Sequence, residues 1–194
     1  MVRKMAMVVM GLVALFGVAN AEVWKVDLVH SSVGFTVKHL VVSKVHGQFT
    51  EFEGEINYDG KDLSAGSVTF TIQAKSIDTD NDQRDEHLRN SDFLAVDSFP
   101  TLTFTSTKIT PGQGENCQMT GNMTMRGVTK EVIFDCTANG IIDAFGGTKA
   151  GFSATATINR QDFGVHFNKV LEAGGLAVGD DVKIMIEIEA TKAQ

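Results

Sequence analysis

Two cysteines are too few for a cysteine-built zinc cluster, and no histidine of the five, His30, His39, His46, His87 and His166, stands at metal-ligand spacing from another histidine or a cysteine. No metal is therefore expected. Two prolines, Pro100 and Pro111, leave the backbone free to pair along most of its length, and both fall at strand margins where a missing N–H does no harm. There is no run of lysine and arginine, and 24 acidic against 17 basic side chains give a formal charge of −7. Counted over the whole chain, that balance offers no electrostatic footprint for nucleic acid or for an anionic membrane surface. Also missing are G-x-S-x-G, the P-loop, G-x-G-x-x-G opening a helix and H-E-x-x-H. Their absence lowers the prospect of an enzyme without excluding one, because triads assemble in space.

Long apolar runs are scarce too. Arg3 and Lys4 precede one from Met5 to Ala19, and Ala19-Asn20-Ala21 gives the small-x-small pattern of a signal-peptidase site. The expectation is a cleaved signal peptide over residues 1–21 and one exported domain over residues 22–194, in the periplasm or secreted. The apolar run is about 15 residues, short for a span, and no later segment approaches ~20, so the mature chain should hold no integral membrane segment.

What the chain has in abundance is alternation. Val33, Phe35, Val37, His39 and Val41 share one face, as do Val68, Phe70, Ile72 and Ala74. The same period-two pattern recurs in Ala150, Phe152, Ala154, Ala156 and Ile158, and in Val182, Ile184, Ile186 and Ile188. Phe49 and Phe52 break the period, which predicts a bulge or bend of the kind that helps a sheet to close. Glycine-bearing turns separate the runs: Asp59-Gly60, Arg126-Gly127, Gly146-Gly147 and Gly174-Gly175. About eight strands and one helix near residues 82–90 make an all-β chain, an antiparallel barrel with a β-sandwich as the rival.

If Arg126-Gly127 is a two-residue hairpin turn, partners have numbers summing to 253, so Met123 faces Lys130 and Cys117 faces Cys136. Directly opposite Cα atoms lie roughly 4.5–5.5 Å apart, a span a disulfide bridges. Two small buried thiols are the alternative. The register puts Met119, Met123, Met125 and Phe134 on the inner side, either as ordinary core or as an adaptable apolar lining.

Ionisable candidates are few. His39 sits on an apolar face, either as a hydrogen-bonded buried histidine or as a ligand-orienting group. In the helix, Asp80 or Asn81 can cap, Asp85 can pair with Arg89 at i, i+4, and Arg84, His87 and Leu88 share a side. The segment is either a lid anchored by Leu88, Phe93 and Leu94 or a platform presenting Arg84 and His87 to a polar head group.

Several short motifs occur together: Trp24-x-Val26-Asp27, His30-Ser31-x-Val33-x-Phe35, Gly47-x-Phe49, Ser76-Ile77-Asp78-Thr79 and Arg84-Asp85-x-His87-Leu88-Arg89. Phe99-Pro100, Gly127-Val128-Thr129-Lys130, Arg160-x-Asp162-Phe163 and Val178-Gly179-x-x-Val182 continue them. In this order the chain resembles the YceI-like family of bacterial polyisoprenoid-binding proteins. The resemblance implies an extended, lipocalin-like eight-stranded antiparallel barrel with a hydrophobic tunnel. It further implies a bound polyisoprenoid or other long-chain lipid, no other cofactor and no established catalysis. The tunnel would be lined by Phe35, Val37, His39, Phe70, Ile72, Met119, Met123, Phe134 and Phe152. A small lipid would be the partner, and a homodimer is compatible with the sequence. The cysteine pair is not part of the family pattern. An exported enzyme acting on an isoprenoid or quinone would instead need His39, Arg84, Asp85 and His87 to converge, and a broad scavenger of hydrophobic compounds would differ in ligand breadth.

The hairpin register makes its own prediction. Thiol titration of the denatured, unreduced protein should find no free thiol, and the closed loop should contribute on the order of 3 kcal/mol. Two free thiols per chain would contradict it.

Overall fold

The computed structural model describes residues 22–170 and 176–193. The expected signal peptide, residues 1–21, and the Gly174-Gly175 turn lie outside the described residues. Among the described residues eleven strands form one sheet: β1 (Val23–Val26), β2 (Ser32–His39), β3 (Ser43–Phe49), β4 (Phe52–Asn57), β5 (Ser67–Gln73), β6 (Ile77–Asp78), β7 (Thr101–Pro111), β8 (Asn116–Met125), β9 (Val128–Ala144), β10 (Gly147–Asn159) and β11 (Val178–Lys192). Among the described residues there is one α-helix, α1 (Asp82–Arg89), between β6 and β7.

The eleven strands are eight long ones, three of them broken. β1 and β2 run along the same neighbour, β11, which pairs with β2 from Val178 to Glu187 and with β1 from Ala190 to Lys192. β3 pairs with β6, and β4 with β5, so the second and third long strands are kinked at matching heights. Antiparallel pairing of β1 with both β4 and β11 closes the ring, an eight-stranded barrel rather than a sandwich.

Hydrogen bonds from backbone and side chains satisfy the groups left at the breaks. At the first, Asp27 N–H donates to the Glu189 carbonyl (2.8 Å), and Ser31 Oγ accepts from Glu189 N–H (3.0 Å) while donating to its carbonyl (3.2 Å). Lys149 Nζ lies 3.2 Å from both the Asp27 and Glu189 carboxylates. His30, the Val29 N–H and Lys149 hold the Asp27 carboxyl down to about 2. Asp27, His30 and Glu189 come close enough together to resemble a metal site, yet the Lys149 ammonium already supplies the cation between the carboxylates. At the second break, the predicted bend at Phe49 and Phe52, Thr50 N–H donates to the Ser76 carbonyl and Gln73 N–H to that of Glu51.

The hairpin register is as the sequence predicts. Met125 pairs with Val128, Met123 with Lys130 and Cys117 with Cys136, and the two cysteines are joined, their Cα atoms 5.0 Å apart. Arg126 and Gly127 both have positive φ, 52° and 73°, the backbone a tight hairpin turn demands.

Two expectations are corrected. β2 ends at His39, and the chain reverses through Leu40 and Val41, so Val41 is exposed rather than on the inner face. Asp85 and Arg89 do not form an i, i+4 pair; both reach back to the strand that the helix covers. β6 pairs with β3 on one side, and among the described residues no strand flanks its other edge. Along that edge Arg89 donates to the carbonyls of Lys75 and Ile77 (2.8 Å each), and Arg84 to the Thr79 carbonyl (2.6 Å) and Oγ1 (2.7 Å). Buried Asp85 accepts from Thr79 N–H (3.0 Å) and Oγ1 (2.5 Å). Asn81 caps the helix by accepting from Arg84 N–H. The charged motif thus substitutes for the missing strand.

Asp85→Ala should leave two buried donors of Thr79 without a partner and cost about 2–4 kcal/mol in urea unfolding, while Asp85→Asn, which keeps an acceptor, should cost less. A loss below about 0.5 kcal/mol for the alanine variant would contradict this account of the edge.

Candidate functional site

The barrel interior is not filled. Two apolar clusters meet inside it, one around Met119, Met123, Phe134 and Phe163, the other around Trp24, Tyr58 and Ile188. Between them runs a cavity of about 240 Å³, lined from Val37 and Val178 at one end to Tyr58, Leu63 and Thr137 at the other. At about 30 Å³ for a water-sized group, that is room for roughly eight methylenes.

Three aromatic residues explain why a lumen with so many rings stays open. Phe35 pairs across the sheet with Gly47, Phe70 with Gly54, and Phe104 is diagonal to Gly121. At each glycine an added Cβ would overlap the ring of the phenylalanine named with it. The ring therefore lies against the wall over the glycine and presents a face to the lumen instead of projecting across it. The wall stays thin on this side.

The sequence-predicted lining residues Phe35, Val37, Phe70, Ile72, Met119, Met123, Phe134 and Phe152 all border the cavity. His39 does not, and that expectation is corrected: it ends β2, and its carbonyl accepts from Val42 N–H and Ser43 Oγ. Arg84 and His87 also stand outside the lining. Arg84 is engaged with Thr79, as above, and His87 Nε2 lies 3.1 Å from Asp92 Oδ2 while its ring meets Phe93 and Phe167 edge-on at 4.9 and 4.8 Å. What α1 and the loop after it give the cavity is apolar: Leu88, Phe93 and Leu94. Arg126 ties that loop to the β8–β9 turn by donating to the carbonyls of Ser91 (2.8 Å) and Phe93.

Two lining groups were not singled out as site residues from sequence. Arg160, 4% exposed, donates to the carbonyls of Gly179 (2.9 Å), Val165 (2.7 Å) and Val178 (3.3 Å) and to Asp180 Oδ1 (3.2 Å). Burial pulls its pKa below the ordinary value while Asp180 opposes the shift; arginine nevertheless stays charged at neutral pH. Tyr58 lies at the far end, its phenol pushed up by burial and by Glu115, Asp59 and Asp62, so it stays protonated. Among the described lining residues these are the ionisable side chains, Cys117 and Cys136 being bridged. No histidine or carboxylate stands among the described lining residues.

Among the described residues no helix is long and apolar enough to cross a membrane. Comparison with known proteins matches residues 24–190 to the YceI-like domain. A UPF0312 protein of Staphylococcus aureus (strain bovine RF122 / ET3-1) is 41% identical over 165 residues, covering 84% of this chain and 94% of its own. The crystal structure of Burkholderia cenocepacia BcnA superposes with a TM-score of 0.75 at 26% identity, over 86% of this chain and 99% of that one. A polyisoprenoid binding domain from Saccharophagus degradans, implicated in plant cell wall breakdown, shares the fold at a TM-score of 0.66 and 13% identity, over 88% and 98% of the two chains.

Gly54→Ala should push the Phe70 ring into the lumen, since the ring is what its Cβ would meet. Uptake of an apolar fluorescent probe should fall at least fivefold, and Phe70→Leu in the same chain should restore it. Unchanged uptake by the single variant would mean that the glycines do not set the width of the lumen.

Proposed function

This chain belongs to the YceI-like family, and we propose that it is an exported binding protein that holds the apolar chain of a polyisoprenoid or similar long-chain amphipathic lipid in the barrel, for transport, storage or sequestration. The observation that carries the reading is the continuous apolar lumen. Its walls offer an apolar guest contacts and offer a polar guest almost no partners. The polyisoprenoid named for one structural relative is consistent with it, although a likeness at 13% identity speaks for the fold.

Magnitudes limit what the resting cavity can hold. Eight buried methylenes contribute roughly 6 kcal/mol at ~0.8 kcal/mol each, before the cost of ordering the chain. Tight binding therefore requires more carbons than the cavity takes as it stands. Met119, Met123 and Met125, unbranched and without the stiffness of β-branched side chains, are the residues able to swing aside and lengthen it. The same adaptability suits a scavenger with broad ligand tolerance. The enzyme reading has less support, because His39, Arg84, Asp85 and His87 lie off the lining. Export is supported by the Cys117–Cys136 bridge, which persists in oxidising compartments, and by the leader-like residues 1–21.

Met123→Trp tests the reading. Titrated with a prenyl alcohol, the variant should bind at least tenfold more weakly than the parent, with thermal unfolding little changed. If Met123 is instead a packed core residue, the added bulk should destabilise by roughly 1–3 kcal/mol. A variant that melts much earlier yet binds the alcohol as well as the parent would refute the lumen as the binding site.

A further inference from the structure

Tyr58 is the only tyrosine of the chain, and it stands at the Leu63 and Thr137 end of the lumen, 7% exposed. Its main chain is fixed on both sides: the N–H donates to the Glu22 carbonyl (2.9 Å), and the carbonyl accepts from buried Trp24 Nε1 (2.8 Å). The ring meets Phe152 edge-on at 6.1 Å. Backbone and ring are thus held, and the hydroxyl is left over.

That hydroxyl forms no hydrogen bond with any described residue. Among the described residues no side-chain polar atom is both sealed off and unpartnered, so the phenol oxygen is reachable by a water-sized group from the space the residue borders. A phenylalanine would fill the same place without the cost of desolvating a hydroxyl. An unused donor at the end of an apolar lumen is available to a guest.

The other polar lining groups are committed. Asn57, Thr137 and Ser153 border the cavity beside inward-facing Ile56, Ala138 and Ala154, but their own side chains bond to Ser67, Asn116 and Asn139. At the opposite end Arg160 is engaged with three carbonyls and Asp180. Charge narrows the choice of guest further. The charged groups acting on the phenol are Glu115, Asp59 and Asp62, all negative, while Lys61 offsets Asp59 and Lys192 is paired with Glu22. A phosphate would meet repulsion there, whereas an uncharged oxygen can accept from a phenol that stays protonated.

We propose that Tyr58 is the head-group site of the lumen: its hydroxyl donates a hydrogen bond to an uncharged oxygen, hydroxyl or carbonyl, at one end of the guest, whose apolar chain runs toward Val37 and Val178. The inference rests on the lumen reading above. It adds the end at which the polar group sits and the class of head group admitted, alcohols and carbonyl compounds in preference to phosphates.

Binding of 1-octanol, octyl phosphate and n-octane to the parent and to Tyr58→Phe tests it, with chains matched to the roughly eight methylenes the cavity takes. The parent should bind octane and octanol, and should bind octyl phosphate at least tenfold more weakly than octanol. Tyr58→Phe should weaken octanol about fivefold, the size of one neutral hydrogen bond, and should leave octane binding and the melting temperature unchanged. The tyrosine absorption band of the parent, which comes from Tyr58 alone, should move to longer wavelength with octanol and not with octane. Octanol bound equally by both proteins, or octyl phosphate bound as tightly as octanol, overturns the proposal, while octane binding would still support the lumen as a site. If Tyr58→Phe loses octane as well, the residue serves packing alone and the proposal is overturned. A parent that binds none of the three overturns the lumen reading, and this inference with it.

Discussion

Closure of the sheet is the constraint on which everything else depends. An antiparallel sheet of eight long strands ends in two open edges unless its first and last strands pair, and here β11 is long enough to hold both halves of the broken first strand. Trp24, fully buried at the seam, fixes it further by donating from Nε1 to the Tyr58 carbonyl at 2.8 Å. The barrel closes completely at that end. At the other the third long strand stops at Asp78, and α1 takes over, its Arg84, Asp85 and Arg89 supplying hydrogen bonds that a neighbouring strand would otherwise make.

A closed barrel of this size has an interior that side chains can just fill or just fail to fill. This one fails, and the reason is local. Inner-facing glycines let phenylalanine rings lie flat on the wall, and the three methionines from β8 project without branching. A cavity of this kind forfeits dispersion contacts, a standing cost in stability that an apolar guest would remove. The architecture and the apolar-chain ligand proposed for it are thus two aspects of one packing arrangement.

The parts of this arrangement legible in the sequence were those governed by short-range rules. Period-two alternation placed most lining residues, and one turn with Gly127 at positive φ was enough to set the register that joins Cys117 to Cys136. The same alternation misled at His39 and Val41, because nothing in Leu40-Val41-Val42 resembles turn chemistry. The helix misled differently. Asp85 and Arg89 have the spacing of a surface ion pair, and their true partners, the Thr79 backbone and hydroxyl and the carbonyls of Lys75 and Ile77, become visible once the edge of β6 is known to be uncovered. Gly47 and Gly54 show their role when the cross-strand pairing sets a phenylalanine over each. The signal, a strand glycine directly opposite a phenylalanine, was present but needs the register before it can be seen.

The central claim, that the lumen holds an apolar chain, is most directly tested by native mass spectrometry of the chain purified without detergent, with organic extraction of the same sample. The account predicts close to one long-chain amphipathic molecule per protein chain, released on unfolding and recovered in the organic phase. Recovery of the bare protein mass, together with no mass increase after incubation with prenyl alcohols of increasing length, would contradict it.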